Sequence, residues 1–312
     1  MTIRDAATHA RNDPDACGRL NDEFRDYLLA QGADLVGFGS VPHMEGAPEI
    51  MQPRRYLPDA QSMIAIGLHI NEASCDLIER SVRDGALPAS YHSYQMFTLA
   101  IVNPQIDTIA FQGARFLEKQ GYRAYPFPAN MPHISKPSAE YPGGPGDISH
   151  RHVAVACGLG QIGWHNLLIT PQFGTRQKLT TIITNAPLEP DPMYEDRLCD
   201  PVACGFQCAR ACPTAAIPGT LGAKTTITMR EQPVRYAKIV GWRCRWGCSG
   251  MLKSAGGYTD IPMPREEPTA EELLQYKARM DPWQVRLKAT SGGLLPYCGR
   301  CLCACPAGRG SP

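Results

Sequence analysis

The sequence has almost no net charge and no long apolar run. Lys and Arg total 31 and Asp and Glu total 30, so the formal net charge is +1 at pH 7. Such a balance creates no overall field that would attract nucleic acid or an acidic partner. No apolar stretch approaches the roughly 20 residues that cross a bilayer, and the polar N-terminus lacks the apolar segment of a signal peptide. We therefore expect a cytoplasmic protein that binds neither DNA nor a membrane.

Cysteine is scarce in the first part of the chain and abundant in the last. Of 13 cysteines, three precede residue 199 and ten lie from Cys199 to Cys305. The cytoplasm keeps thiols reduced, so a disulfide framework is not expected there and metal binding is favoured. This shift in composition predicts two domains, a cofactor- and substrate-binding body over 1–195 and a metal-binding module over 196–312.

The pattern of the body alternates predicted helices with predicted strands. Apolar residues at helical spacing predict a helix over 20–31, with Asn21 as its N-cap. A second helical pattern over 95–120 contains Pro104, where we expect a break. Strands are predicted over four apolar segments, at 33–41, 62–70, 122–126 and 178–185. This alternation is typical of a layered α/β fold.

Three further segments have a clear composition. Residues 129–146 are rich in Pro, Gly and Ser, which predicts a long loop. Residues 213–235 are expected to be a connection between two groups of cysteines. Thr269-Ala-Glu-Glu272 has the capping-box pattern and predicts a helix that continues to about Met280.

The strongest motif is C-x3-C-P, which occurs twice, at Cys208–Cys212 and at Cys301–Cys305. Bacterial ferredoxin-type sites end in this motif, and the last cysteine of each run ligates the other cluster. Thiolates are needed because iron in these clusters prefers soft ligands. Structural zinc held by four cysteines is the alternative. Zinc sites do not require the proline-flanked ending twice, so two 4Fe–4S clusters are favoured.

If the last cysteine of each run ligates the other cluster, the cysteines divide into two sets of ligands. The first cluster would take Cys199, Cys204, Cys208 and the distant Cys305. The second cluster would take Cys212, Cys298, Cys301 and either Cys244 or Cys248. The first run departs from the standard spacing at Cys199 and Cys204. Outside the two sets remain Cys17, Cys75, Cys157, Cys303 and one member of the 244/248 pair, and Cys157 is expected to be a small buried hydrophobe.

The segment Gly158–Gly163 matches G-x-G-x-x-G, the pattern of dinucleotide-binding loops. Such a loop needs an acidic residue about 20 positions further on, at the end of a strand. Here the first acidic residue downstream is Glu189, and the segment begins far into the chain. These two departures disfavour NAD binding.

The wider segment Val155–Gly174 resembles the glycine-rich segment shared by epoxyqueuosine reductases and corrinoid reductive dehalogenases. Leu57–Gly67 and Cys212–Ile217 are similar to the same group. The motifs occur in the same order as in that group, and the resemblance extends over residues 20 to 306.

The resemblance implies an α/β (α+β) nitroreductase-like, cobalamin-binding core with a C-terminal ferredoxin-like module that carries the two clusters. In this group the clusters pass single electrons to cobalt, and an external low-potential donor of the ferredoxin or flavodoxin type supplies them. Five residues are expected to lie against the corrin, namely Gly158, Gly160, Gly163, Thr170 and Gly174. Glycine suits that position because a flat macrocycle requires close approach of the backbone.

A reduction needs a proton donor, and here the chain departs from the pattern of the group. The epoxyqueuosine enzymes carry an aspartate ahead of the glycine segment, where this chain has Tyr141–Gly146, and the nearest acid is Asp147. We take Asp147, Tyr94 and His150 as candidate acids. Asp147 could instead cap a helix that continues through Val155, and His150 could lie on the exposed side of that helix.

The sequence therefore predicts an iron–sulfur oxidoreductase that passes single electrons through two 4Fe–4S clusters to a cobalamin, which reduces a small organic substrate. A version of this enzyme with flavin or no second cofactor is one alternative. Another is an electron-transfer or activator protein that reduces a corrinoid or metal centre of a partner and has no cobalamin of its own.

Overall fold

The computed structural model describes residues 16–85, 93–129, 146–230, 232–282, 285 and 298–308. The loop predicted over 129–146 lies outside these residues except for its two ends. Within the described part of the chain, no helix combines the length and the apolar character that spanning a bilayer requires.

The strands form one central sheet and two hairpins. The strands are β1 Leu35–Ser40, β2 Ser62–His69, β3 Ala124–Phe127, β4 Gln161–Ile162, β5 Leu168–Ile169, β6 Gln177–Thr184, β7 Lys224–Met229 and β8 Gln232–Ala237. The central sheet has the order β1-β2-β6-β3, and every neighbouring pair is antiparallel. The fold is thus a mixed α/β structure with an antiparallel sheet, whereas β4–β5 and β7–β8 pair as separate hairpins.

The helices surround the sheet and carry the cysteines. They are α1 Ala16–Ala30, α2 Pro53–Tyr56, α3 Glu72–Asp84, α4 Val102–Lys119, α5 His150–Ala156, α6 Gln207–Arg210, α7 Gly241–Cys248, α8 Ala270–Ala278 and α9 Arg300–Cys303. A π-helical segment, Met96–Ile101, precedes α4, and short 3-10 turns lie at Val41–Met44, Glu49–Met51 and Lys253–Ala255.

Strand β2 is buried along nearly its whole length because both faces of the sheet are covered. Side chains alternate between the two faces of a strand, so Ile64 and Ile66 pack with Phe24 of α1 and Ile106 of α4. Met63 and Ala65 pack with α5 on the opposite face. The result is three layers, and each large apolar side chain buried between them contributes about 2 kcal/mol to folding.

Small residues on β1 allow α5 to lie unusually close to the sheet. A Cβ on Gly37 would clash with the backbone oxygen of Cys157, and one on Gly39 would lie 2.8 Å from its Sγ. Cys157 itself is fully buried among the apolar side chains of this layer. The prediction that it is a small buried hydrophobe is therefore confirmed.

Several predicted elements have different bounds or partners in the structure. Helix α1 begins at Ala16, so Asn21 is not its N-cap; the Asn21 amide instead donates to the Glu189 oxygen at 2.8 Å. The irregularity expected at Pro104 lies just before it, in the π-helical segment, where the Val102 N–H bonds the Phe97 oxygen. The capping box at Thr269 is confirmed, because Thr269 and Glu272 bond each other's backbone N–H.

The segment 213–235 is not a simple connection. It contains β7 and the start of β8, and the hairpin that they form packs on the body through Met229 and Tyr236, which join α5 in the core. The two domains predicted from composition therefore share a packed core at this hairpin, and the boundary at 195 stays a prediction.

Two histidines near the start and after the end of α5 make specific contacts. The Nδ1 of His150 lies 2.8 Å from Thr181 Oγ1 of β6, and its Nε2 lies 3.1 Å from the Pro128 oxygen. The Nδ1 of His165 accepts the Leu167 N–H at 3.1 Å. Burial lowers the pKa of both histidines from 6.5 to about 4, so both are neutral at pH 7.

We predict that mild acid destabilises the fold through these histidines. The folded-state pKa lies below the unfolded value of 6.5. The unfolded chain therefore binds more protons, and the free energy of unfolding falls as the pH drops from about 6.5 toward 4. His150→Gln should reduce this loss by about 1 kcal/mol per pH unit. Urea unfolding at about pH 7 and about pH 5.5 measures the effect.

Above the unfolded pKa the two proteins should behave alike. His150 is then neutral in the folded and in the unfolded state. Wild type and His150→Gln should therefore show the same change in stability between about pH 7 and about pH 8. Equal losses of stability in acid for the two proteins would contradict a neutral His150 in the folded state.

Candidate functional site

The first group of cysteines forms where the loop before α6 meets the end of the chain. Cys208 lies on α6, and the pKa of its thiol is raised to about 12 by burial and by the nearby thiols of Cys305, Cys199 and Cys204. Cys305 in turn lies close enough to Cys199 and Cys204 for their charges to raise its pKa, after the larger effect of burial. The structure thus brings together the four cysteines assigned to the first cluster, and their role as ligands stays a prediction.

The second group gathers Cys212, which follows α6, Cys244 and Cys248 of α7, and Cys298 and Cys301, just before and on α9. The thiols of Cys244 and Cys298 lie close enough to Cys248 to raise its pKa. The pKa of Cys301 is raised by burial and then by Cys298, Cys244 and Cys212. Five thiols therefore surround a site that needs four, and the choice between Cys244 and Cys248, which lie four residues apart on one face of α7, stays open.

The two groups are neighbours. Cys301 is close enough to Cys208 for its pKa to respond to that thiol as well as to its own group. Cys199, Cys208, Cys212 and Cys301 also share one apolar cluster with Trp164. Cys208 is buried in this packing and the other three cysteines are partly buried, which places the two groups side by side.

Backbone N–H groups point at two of the sulfur atoms. The Trp164 N–H donates to Cys199 Sγ at 3.3 Å, and the Ala216 N–H donates to Cys212 Sγ at 3.3 Å. Hydrogen bonds of this kind stabilise thiolate and are one of the ways in which proteins set the potential of iron–sulfur clusters. The donor set, thiols with N–H groups directed at them, fits iron–sulfur clusters. No group of three or more His, Cys, Asp and Glu side chains in the described ranges has the geometry to hold a single metal ion.

The body holds the last cysteines through the start of β6. Arg176 is buried, and its guanidinium donates to the Cys305 oxygen at 2.9 Å and to the Ala307 oxygen at 3.2 Å. Thr175 Oγ1 donates to the Leu302 oxygen at 2.7 Å. These bonds define a clamp, Thr175 and Arg176, which fixes α9 and the residues that follow it against the sheet.

The glycines of the Val155–Gly174 segment approach the chain's own backbone. A Cβ on Gly158 would clash with the Pro192 oxygen, one on Gly160 with the Ile169 oxygen, and one on Gly174 with the Ala307 oxygen. A Cβ on Gly163 would lie 2.6 Å from the His165 ring, and Thr170 is fully buried. The backbone that closely approaches these glycines is thus the protein's own, whereas we had expected a macrocycle there. Cofactor binding by these five residues stays a prediction.

The three candidate acids lie in different places. Tyr94 is buried beside the second cysteine group, where burial and then the charges of Cys303, Cys75, Cys298 and Cys301 raise its pKa. Asp147 interacts with Tyr56, whose pKa is raised to about 12 by burial and then by this carboxylate. His150 is half-buried and bonds Thr181 on the sheet, so it does not lie on a fully exposed side of α5. The N-cap of α5 is Ser149, so the alternative of Asp147 as the cap is wrong.

Two cavities flank the β7–β8 hairpin. The larger, of about 420 Å³, extends from Cys199 past Gly160 to the basic side chains of Arg197, Lys224 and Arg235. The smaller, of about 320 Å³, is mostly apolar and contains a few polar groups; its lining includes Met44, Met51, Ser149, Arg151, His152, Asn166, Ile227, Met229 and Tyr236. Small organic molecules bind in cavities of this size and character.

A chain of three hydrogen-bonding groups lines the smaller cavity. His152 Nδ1 lies 2.6 Å from Ser149 Oγ, and its Nε2 lies 3.3 Å from Tyr236 OH. Burial and then Arg151 lower the pKa of His152 to about 4, and burial raises that of Tyr236. At neutral pH the imidazole is therefore uncharged and the phenol keeps its proton. Tyr236 was not predicted from the sequence, because most of its hairpin falls in the segment 213–235, where a connection was expected.

Comparison with known proteins gives partial matches to two kinds of reductase. No family model matches the chain. The epoxyqueuosine reductase of Bacillus subtilis (strain 168) is 37% identical over 112 residues, which are 33% of this chain and 27% of the relative. The tetrachloroethene reductive dehalogenase of Sulfurospirillum multivorans is 40% identical over 109 residues, which are 35% of this chain and 21% of the relative. The matched segments thus cover well under two thirds of either relative.

Solved structures share the fold over nearly the whole chain. A reductive dehalogenase, for which a mechanism of B12-dependent dehalogenation was suggested, aligns with a TM-score of 0.55 at 18% identity and covers 94% of this chain and 38% of its own. Epoxyqueuosine reductase from Bacillus subtilis aligns with a TM-score of 0.51 at 19% identity, over 94% and 66% of the two chains. The chain therefore resembles the group of epoxyqueuosine reductases and reductive dehalogenases, as its motifs indicated.

Proposed function

We propose that this protein is an iron–sulfur oxidoreductase that passes single electrons through two 4Fe–4S clusters to a cobalamin, which reduces a small organic substrate. The observation that carries the proposal is the gathering of nine cysteines into two adjacent groups. The similar reductases in sequence and fold support the reaction class.

The ligands proposed for the first cluster are Cys199, Cys204, Cys208 and Cys305. Those proposed for the second are Cys212, Cys298, Cys301 and one of Cys244 and Cys248. Clusters of this type supply one-electron transfer. The protein contributes the apolar cover around Trp164, the N–H bonds to sulfur and the contact between Cys208 and Cys301 that joins the two groups.

The larger cavity supports access for an electron donor. It lies beside Cys199 of the first group and contains Arg197, Lys224 and Arg235. Cationic side chains around an exposed entrance attract an acidic partner and increase its rate of association. An external low-potential donor of the ferredoxin or flavodoxin type fits this surface.

The cobalamin of this proposal rests on the resemblance, and a bound cobalamin would supply low-valent cobalt as the reductant. The five residues expected against the corrin do not fit that role as a surface, because Gly158, Gly160 and Gly174 lie against the chain's own backbone. Of the five, Gly160 alone lines either of the two cavities beside the β7–β8 hairpin. This observation favours a second candidate function, an electron-transfer or activator protein that reduces a partner's corrinoid or metal centre without a cobalamin of its own.

We predict that anaerobically purified protein contains about eight iron atoms per chain, as two 4Fe–4S clusters require. Cys208→Ala and Cys301→Ala should each remove one cluster and leave about four iron atoms. Cys157→Ala is the matched control, since this thiol is buried in the body and should leave the iron content unchanged. Iron, labile sulfide and cobalt are measured together with the absorption spectrum.

The same measurement separates the two candidate functions. One cobalt per chain supports the enzyme with its own cobalamin, and about eight iron atoms without cobalt support the carrier. Protein that lacks both iron and labile sulfide would exclude both candidates.

We predict that Arg176→Met releases the end of the chain and empties the first cluster site. The two carbonyl oxygens that Arg176 holds belong to Cys305 and to Ala307. Loss of the Arg176 guanidinium should lower the iron content from about eight to about four atoms per chain. It should also lower the free energy of unfolding by about 2 kcal/mol. Electron paramagnetic resonance of the reduced protein should show the signal of one cluster instead of two.

Arg123→Met is the control for this change. Arg123 is an exposed arginine that pairs with Asp59 at 3.1 Å, away from the cysteines. It should keep all of its iron. An Arg176→Met protein with an unchanged iron content and spectrum would show that the clamp is not needed for the cluster.

A further inference from the structure

We infer that the smaller cavity is a binding site for a small organic carboxylate, held by the guanidinium of Arg151 at the polar end of an otherwise apolar pocket. As a substrate site it deepens the proposed function and rests on it, whereas carboxylate binding itself can be tested separately.

Arg151 has no carboxylate partner among the described residues. It lines the cavity from α5, and its one hydrogen bond among the described residues is donated by Nη1 to the Asn166 oxygen. The salt bridges within the described ranges all involve other arginines. The Arg151 side chain is half-buried, and a partly desolvated cation without a carboxylate is poorly compensated. A carboxylate can accept two parallel hydrogen bonds from a guanidinium and so supplies the missing partner.

A second polar group at the same end is also unsatisfied. The Asn166 side-chain oxygen is buried and has no hydrogen-bond partner. The amide can rotate to present its NH2 instead, so Asn166 can either donate to a carboxylate or accept from a hydroxyl beside it. The Tyr236 hydroxyl, held by His152 at 3.3 Å, lines the same cavity. Three polar groups thus converge where a ligand's head group would lie.

The remaining walls suit a hydrocarbon body. Met44, Met51, Met229 and Ile227 contribute apolar surface, and methionine adapts easily to the shape of a ligand. A volume of about 320 Å³ lies at the lower end of small-molecule sites. This size favours a carboxylate with one ring or a short chain over a nucleotide or a complete corrinoid.

The larger cavity does not offer an equivalent site. Arg197 there pairs with Asp200 at 3.3 Å, so its charge already has a counter-ion. Lys224 and Arg235 are exposed to solvent, which weakens an interaction with a small anion.

The fold also relates this pocket to the cysteines. Tyr236, which lines the pocket, is followed within a few residues by α7, the helix that carries Cys244 and Cys248. A carboxylate bound in the pocket would therefore lie on the side of the second cysteine group, where a reductase needs its substrate.

Benzoate and its neutral isostere benzamide test the inference on the full-length, anaerobically purified protein. Isothermal titration calorimetry should show benzoate binding at least tenfold more tightly than benzamide. Arg151→Met should weaken benzoate binding about 30-fold or more, because the carboxylate then loses its charged partner. Arg123→Met, which removes an exposed arginine that pairs with Asp59 outside both cavities, should bind benzoate like wild type.

Arg151→Lys keeps the positive charge but cannot donate two parallel hydrogen bonds to a carboxylate. Its affinity for benzoate should therefore lie between those of wild type and Arg151→Met. It serves if the methionine variant does not fold, which thermal unfolding checks. Benzoate should also raise the unfolding temperature of wild type, and it should raise that of Arg151→Met much less. Equal binding of benzoate and benzamide, no benzoate binding by wild type, or unchanged binding by the Arg151 variants would overturn the inference. Iron measured in the same samples tests the proposed function separately, because iron content reports the clusters and not the bound ligand.

Discussion

The interaction on which the structure of both cysteine groups depends is the clamp of Thr175 and Arg176 on the end of the chain. Arg176 is a buried cation without a carboxylate partner in the described part of the chain, and backbone oxygens of the last segment satisfy it instead. Because a buried guanidinium must be hydrogen-bonded, that segment is tied to β6. Arg176 holds the Cys305 oxygen of the first group, whereas Thr175 holds the Leu302 oxygen next to Cys301 of the second, so the clamp supports the two sites through separate bonds.

The local parts of this arrangement could be predicted from the sequence. Strands β1, β2 and β6 follow from apolar runs that need no knowledge of their partners. The division of the cysteines also follows, because a ligand run is a local pattern and the rule for exchanging the last cysteine is general. Cys208 and Cys305 meet as that rule predicts, although 97 positions, 305 minus 208, separate them.

The long-range parts could not be predicted, for physical reasons that differ between residues. The pattern of β2 is the same for a parallel and an antiparallel neighbour when both faces are buried, so the order of the sheet was undetermined. Gly158 and Gly174 are needed by the backbone at Pro192 and Ala307, and no local pattern identifies these partners. Hairpin β7–β8 has polar residues on its outer side, which made it resemble a connection between cysteines.

This hairpin gives the proposed electron path a direction. One cavity beside it is basic, partly exposed and lined by Cys199 of the first group, whereas the other is apolar and lined by Tyr236, which shortly precedes α7 with Cys244 of the second. A protein donor needs an accessible charged surface, and a small substrate needs a site that excludes water. Electrons would therefore enter at the first group and leave at the second, and they would cross where Cys301 lies near Cys208.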